Sequence, residues 1–312
     1  MASYSALGSV MTPNPFELNN DLAYQRWRDL KLSHAPRSMD DLIIEVRDPR
    51  RLTETERMAL VARCQSANMA IYAGPDYGED RTVPRLLGAQ IGLLRLDHNR
   101  GADEDDITAL RVVQGENPRA DFIPYTNRAL HWHTDGYYNS PERQIHGFVL
   151  HCVRPAKTGG ANSLLDPELA YIFLRDLDPG YIYALSAADA MTIPAYMRDG
   201  REERPASIGP IFSITADGHL HLRYTARARN ILWRKTPVIF PGKSTREINT
   251  QDAVAALNQI LTTTPYVLHG TLTSGQGLIT NNVLHDRSEF TDDPSCSRLI
   301  YRARSYDRVR QS

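Results

Sequence analysis

The 312-residue sequence predicts a mostly β fold with flanking helices, closed as a barrel or jelly roll, on three observations. From Phe122 onward short apolar runs alternate with turn-forming residues: HGFVLHCV, a GG turn, ANSLLD, then PIFSI and HLHLRY around ADG, and finally GLITNNV and RLIYRA. Such alternation is the texture of antiparallel strands joined by tight turns. Two helical patterns interrupt it, PELAYIFLRDL near Pro167 and TQDAVAALNQILTT near Thr250, and many short strands under a few covering helices form one layered core. No repeat, low-complexity tract or linker divides the chain, whose length one large β-rich domain accommodates. We therefore read residues 1–312 as a single domain, with 1–121 as N-terminal helices and strands packing on the barrel and 122–307 as the barrel core with a long insert.

Along the chain, Leu22 to Leu32 fits a short helix and Leu42 to Val46 (LIIEV) a strand. Thr53 with Glu56 three residues on is a capping box, and Met58, Leu60, Val61 and Cys64 follow at helical spacing. MAIYAG from Met69 and ITALRVV from Ile107 read as strands. Between them Asp97 to Asp106 (DHNRGADEDD) reads as a solvated loop, since it lacks Gly and Glu at the spacing of a calcium loop. In the helix near Thr250, residues Ala253, Val254, Leu257, Ile260 and Leu261 fall on one face.

Composition narrows the partners. With 36 basic against 37 acidic residues there is no charge excess to draw the chain to nucleic acid or anionic lipid, so a small molecule is the expected partner. Cys64, Cys152 and Cys296 are odd in number and far apart, which argues against disulfides or a thiolate metal site; each is expected to be reduced and packed. The first residues carry no basic-then-apolar leader and no run of 18 apolar residues follows, so the expected location is the cytoplasm, away from membranes.

The segment LHWHTDGYY holds His133 and Asp135 two residues apart. In extended backbone such residues point to the same side, so both can reach one ion. With a distant histidine they make the two-His-one-carboxylate set that leaves three positions open on a non-haem iron. His131, on the same side by alternation, is either a neighbour of the ligands or a packed strand histidine. The distant ligand is expected to be His285, because Arg298 follows it by 13 residues. A 2-oxoglutarate chelating iron through its keto-acid end needs a fixed cation for its far carboxylate, and arginine offers two parallel donors. In the strand SRLIYRAR, Arg298, Ile300 and Arg302 share the inner face while Leu299, Tyr301 and Ala303 pack outward. His221, 13 residues before Arg234, is the other candidate for the third ligand, whereas His269 has no arginine at that spacing.

At these residues the sequence resembles the TauD/TfdA superfamily of iron and 2-oxoglutarate oxygenases, over at least Phe122 to Asp307. The resemblance rests on Trp132 before HTD, on LHCVRPAKTGGANSLLD as strand, GG turn and strand, on the spacing from His285 to Arg298, and on the 150 residues between Asp135 and His285. It implies a double-stranded β-helix, the cupin-like jelly roll, with His133 and Asp135 near one strand end and His285 and Arg298 on or near later strands. It also implies Fe(II) and O2, with 2-oxoglutarate decarboxylated to succinate and CO2 while a substrate C–H is oxidised, most simply hydroxylated. Where the family often places a threonine after GG to bond the cosubstrate's far carboxylate, this sequence has Asn162, whose amide can donate.

Arg302 is either a clamp for a carboxylate, sulfonate or phosphonate on the substrate or half of a structural ion pair, and an anionic small molecule is the expected substrate. Tyr137 and Tyr138 follow the metal motif and Asn127 precedes it, so all three are expected to border the pocket. The same motifs also resemble the butyrobetaine hydroxylase branch, whose trimethylammonium substrates aromatic faces can hold. Tyr137, Tyr138, Tyr224 and Trp233 are then the candidate faces, although the cysteine-rich zinc segment common in that branch is missing from the front of this chain. Two rivals come from other classes: a non-catalytic β-barrel binding module, and a zinc hydrolase that activates water with the same ligands. The hydrolase leaves Arg298 and its spacing unexplained.

Overall fold

Ten strands form two sheets whose inner faces share one core, in a computed structural model that describes residues 14–98, 103–115, 117–227, 231–242 and 246–311. The larger sheet contains β1 (Ile43–Glu45), β2 (Met69–Ala73), β3 (Ile107–Leu110), β5 (Gly147–Arg154), β8 (Gln276–Thr280) and β10 (Leu299–Ser305), in the order β1-β2-β8-β5-β10-β3. The smaller contains β4 (Leu130–His133), β6 (Asn162–Leu165), β7 (Leu268–Gly270) and β9 (Leu284–Arg287), in the order β7-β6-β9-β4. All pairings are antiparallel except β1 with β2. This is the double-stranded β-helix that the resemblance implies.

The apolar run of β5 is continuous because both its faces are covered. Phe148, Leu150 and Cys152 point inward with Leu278 and Ile300 and meet Leu164 and Leu268 of the smaller sheet. Val149 points outward and packs with Leu60, Val61 and Cys64 of α2 (Glu54–Ala67) and Leu87 of α3 (Thr82–Gln90). Each such fully buried side chain contributes about 2 kcal/mol relative to exposure. On β10, Leu299, Tyr301 and Ala303 join Ile107 and Val153 on the outer face, as their parity requires.

Local signals placed most helices. The helix expected over Leu22 to Leu32 spans Asp21–His34 (α1). Thr53 and Glu56 close a reciprocal capping box at the start of α2, worth about 1 kcal/mol. Pro167–Leu177 (α4) and Thr250–Thr263 (α6) form where expected, and α6 buries the expected face. Two helices were not anticipated. In α3, Pro84 and Gly88 blur the apolar period. At the start of Pro179–Leu185 (α5), Pro179-Gly180 reads as a turn, yet Asp178 caps this helix and Pro at its first position suits it. Helices α4, α5 and α6, with short strand pairs between them, form the insert between β6 and β7 and its own core.

Three expectations change. Residues before 121 supply β1, β2 and β3, so they are woven into the larger sheet; β2 is apolar on both faces and sits between β1 and β8. Cys296 is exposed, while Cys64 and Cys152 are buried. Within the acidic run, Asp97 is buried and paired with Arg304, and Asp103 and Asp105 are tied to Arg81, so only part of this run is a solvated loop; residues 99–102 lie outside the described residues. Among the described residues no helix is long and apolar enough to cross a membrane.

Candidate metal centre

Strands β4 and β9 lie side by side with His133 directly opposite His285. Beside that pair the register slips, since Arg287 faces Leu130, so β4 carries one extra residue there. A bulge of this kind re-aims the side chains next to it. His131 is thereby exposed rather than packed, and what it contributes is its carbonyl, which accepts from Nδ1 of His133 at 2.9 Å. The carbonyl of Val283 accepts from Nδ1 of His285 at 2.9 Å in the same way. With Nδ1 carrying the proton, each ring keeps the lone pair on Nε2 for an ion.

Asp135 follows the end of β4, held by a residue that sequence reading passed over. Asn282 accepts from the Asp135 amide at 2.7 Å and donates to the carbonyls of Asp135 and Ile145 at 3.0 and 2.6 Å. Its own backbone is left-handed, at φ 57°, a conformation asparagine tolerates better than most residues. The Asn281-Asn282 pair was the available signal, because it is a turn signature inside the run GLITNNV. Next to Asp135, Gly136 has φ 68°, and a Cβ there would lie 2.5 Å from Cγ1 of Ile145.

The three side chains offer ligand atoms that all lie within 4.8 Å of one another, and all three residues are buried. Nε2 of His133 is 3.8 Å from Oδ1 of Asp135. Burial, helped by the neighbouring His285, pulls the His133 imidazole down to about 3, and burial also lowers His285. Burial alone would raise the Asp135 carboxyl, but Arg302 and Arg304 outweigh it and hold it at about 2. At neutral pH the cluster is therefore two neutral imidazoles and one carboxylate. Oδ2 of Asp135 is buried without a hydrogen-bond partner. An ionised oxygen left so is costly, and a divalent cation bound by the three ligands removes that cost. Two nitrogens and one oxygen suit Fe(II) with open positions for further ligands. No other group of three such side chains among the described residues can share an ion; His221 is instead buried against His146, ring centroids 4.8 Å apart.

Arg298 is buried and pairs with no carboxylate among the described residues. It lines a narrow pocket with Asn162, Gly160, Thr271, Leu150 and Ile300. Asn162 spends one amide donor on the carbonyl of Asp286, 2.7 Å away on the strand that carries His285, and keeps one for the pocket. Thr271 had no distinguishing sequence signal. Arg287 is a second buried cation; it donates to the carbonyls of Thr126 and Arg128 at 2.9 and 2.5 Å.

The remaining candidates divide. Nη1 of Arg302 donates to Oδ1 of Asp135 at 3.1 Å, so one edge of its guanidinium is committed to an ion pair. Arg304, on the same face, pairs with Asp97 and donates to the Tyr138 hydroxyl at 3.0 Å; neither residue of that pair was singled out from sequence. The Tyr137 ring meets His133 nearly edge-on, centroids 6.4 Å apart. Asn127 is exposed, and its carbonyl accepts from the Phe290 amide at 3.0 Å. The four-membered aromatic cage does not assemble, because Tyr224 is fully buried in the helical core and donates its hydroxyl to Asn258 on α6.

The model of the taurine catabolism dioxygenase TauD, TfdA family matches residues 78–304. A uridine-5'-phosphate dioxygenase from Streptomyces sp is 29% identical over 218 residues, 65% of this chain and 70% of the relative. One from Amycolatopsis sp is 30% identical over 181 residues, 55% of this chain and 59% of the relative, so the match spans about three fifths of that protein. Among solved structures, the non-heme iron oxygenase OrfP in complex with Fe and alpha-ketoglutaric acid superposes with a TM-score of 0.56 at 16% identity, covering 90% of each chain. Asparagine oxygenase in complex with Fe(II), a hydroxyasparagine and succinate gives 0.51 at 16% identity, covering 81% of this chain and 80% of that one. At such identities the likeness to these structures is one of fold.

Proposed function

The chain belongs to the taurine catabolism dioxygenase TauD, TfdA family, as a non-haem iron, 2-oxoglutarate-dependent dioxygenase, and on that premise we propose that it oxidises a C–H bond of a small phosphate monoester at an iron held by His133, Asp135 and His285. The observation that carries the site is a buried Asp135 carboxylate, one oxygen of which has no partner, grouped within 4.8 Å of two imidazoles whose Nδ1 atoms are spent on carbonyls. When bound, iron and 2-oxoglutarate supply the oxidising power, with O2 consumed and succinate and CO2 released.

The protein's own groups position this chemistry. The carbonyls of His131 and Val283 fix both imidazole tautomers, and Asn282 fixes the backbone of Asp135. Arg298 receives the far carboxylate of 2-oxoglutarate, with the spare donor of Asn162 beside it. Arg302 helps keep Asp135 ionised, and its buried Nε, which has no partner, remains available to the substrate.

The charge balance favours an anion. Iron(II) and the 2-oxoglutarate dianion cancel each other. Beside them Asp135 and Asp97 match Arg302 and Arg304, which leaves the buried guanidinium of Arg298 in excess. Buried cations require anions, and the relatives' printed substrate carries a 5'-phosphate. Hydroxylation of a carbon bearing a phosphate ester also leaves a product that expels phosphate to become a carbonyl, so both products are measurable.

The experiment is anaerobic titration of 2-oxoglutarate into the Fe(II) protein, followed by aerobic assay of succinate and inorganic phosphate with uridine 5'-monophosphate, other nucleotides, sulfonates, amino acids and betaines. A visible charge-transfer band and nucleotide-stimulated succinate are expected. A band with stimulation only by a betaine or amino acid would overturn the substrate class.

A further inference from the structure

A segment of the insert runs alongside the free edge of β4. The Thr134 amide donates to the Tyr224 carbonyl at 2.9 Å, the Ala226 amide donates to the Trp132 carbonyl at 2.7 Å, and Thr225 sits directly opposite His133 as an antiparallel partner. The Tyr224 amide adds a bond to Oγ1 of Thr134 at 3.0 Å. The insert thus extends the smaller sheet by one strand at the metal centre.

This pairing fixes which side chains face the metal. Directly opposed residues in an antiparallel ladder project to the same face, and residues two apart share it. Thr225 therefore stands beside His133 on the inner face, and Arg223 shares that face; Arg227 follows Thr225 by two residues, just past the last paired residue, Ala226. Tyr224, of opposite parity, turns into the helical core, as its bond to Asn258 shows. Arg223 is spent, since it is buried and its donors go to the carbonyls of Tyr137, Met191, Gly209 and Ser207. Arg227 is different. It is exposed, pairs with no carboxylate among the described residues, and has only its backbone amide bonded, to Oγ1 of Thr225 at 3.2 Å. The Tyr137 ring abuts His133; burial raises its phenol, and the Arg227 charge and the Thr225 hydroxyl pull it back down.

We propose that Thr225 and Arg227 form the subsite that grips the anionic end of the substrate, with Arg227 as its charge and the Thr225 and Tyr137 hydroxyls as its neutral donors. This rests on the reading above that the substrate is a phosphate monoester. A phosphate at this edge of β4 lies across the centre from the Arg298 pocket, so substrate and cosubstrate anions are held by different arginines and do not compete. Arginine suits the task because its planar fork matches two phosphate oxygens at once.

The test is anaerobic calorimetry on protein loaded with Fe(II) and 2-oxoglutarate, comparing uridine 5'-monophosphate with uridine. The wild type is expected to bind the nucleotide more tightly than the nucleoside. Arg227→Gln should weaken the nucleotide about tenfold, equal to about 1.4 kcal/mol, while uridine binding and the 2-oxoglutarate titration stay within about twofold. Arg227→Lys should recover part of the loss, and Thr225→Val should weaken the nucleotide by a smaller factor. Unchanged nucleotide affinity in Arg227→Gln, or equal loss of nucleotide and nucleoside, overturns the subsite. A wild type that binds both ligands alike overturns the phosphate reading itself, and the subsite with it, before any variant is made.

Discussion

Arg302 donates to Oδ1 of Asp135 at 3.1 Å, and both side chains are buried. Arg302, together with Arg304, holds the carboxylate ionised, at about 2 against an ordinary value near 3.9, in a place where burial alone would raise it. Removing one partner of a buried pair typically costs about 3–5 kcal/mol. Arg302→Ala is therefore expected to lower the stability of the metal-free protein by about 3 kcal/mol in urea unfolding at pH 7. Because the folded carboxyl lies below its unfolded value, the pair stabilises above about pH 4 and this contribution fades as pH falls toward 2. The variant should show a smaller stability loss across that window than the wild type.

Arg298→Ala should act on the cosubstrate. It empties the pocket of its cation while leaving His133, Asp135 and His285 in place, so the 2-oxoglutarate requirement should rise by orders of magnitude and Co(II) affinity should stay within about threefold. If Arg302→Ala raises the 2-oxoglutarate requirement more than Arg298→Ala does, the two arginines have exchanged roles.

Asp135→Ala should abolish iron-dependent succinate formation and retain the far-UV circular dichroism of the wild type. Turnover in that variant would mean that another carboxylate completes the ligand set.

Three histidines must be neutral in the folded state: His133 and His221, each pulled down by burial to about 3, and His151, pulled down by burial to about 4. Their folded values lie below the unfolded value near 6.5, so the unfolded chain takes up more protons as the solution is acidified. The contribution of these histidines to the stability of the metal-free protein should be flat above pH 7. Below about pH 6 it should fall by about 1.4 kcal/mol per pH unit for each of these groups, continuing to about pH 4. His221→Asn should make that slope shallower in urea melts taken from pH 7 to pH 4.

The GG turn separates two glycine roles. A Cβ on Gly159 would lie 2.2 Å from the Glu289 carbonyl oxygen, whereas on Gly160 it would lie 3.6 Å from Nε of Arg298, an ordinary contact. Both residues have positive φ, 73° and 72°, which costs a side chain about 1–2 kcal/mol. Gly159→Ala should lower the melting temperature by much more than Gly160→Ala. Gly160→Ala should register mainly as weaker 2-oxoglutarate binding.

Part of this protein was written in local sequence. The capping box of Thr53 and Glu56, the apolar face of α6 and the period-two parity of Arg298, Ile300 and Arg302 depend on spacing along one segment, and the corresponding elements formed as expected. The types of donor at His133, Asp135 and His285 are equally local, as is the 13-residue step from His285 to Arg298. Tertiary structure decided the rest, because each deciding contact joins segments distant in sequence. The one-residue bulge that turns His131 outward is set by how β4 pairs with β9. The buried partners of Arg302 and Arg304 are Asp135 and Asp97, which lie 167 and 207 residues away from them. Thr225 faces His133 because the insert returns to the open edge of β4. Spacing within a strand fixes which side chains share a face, but only the partner strand's register fixes what that face meets.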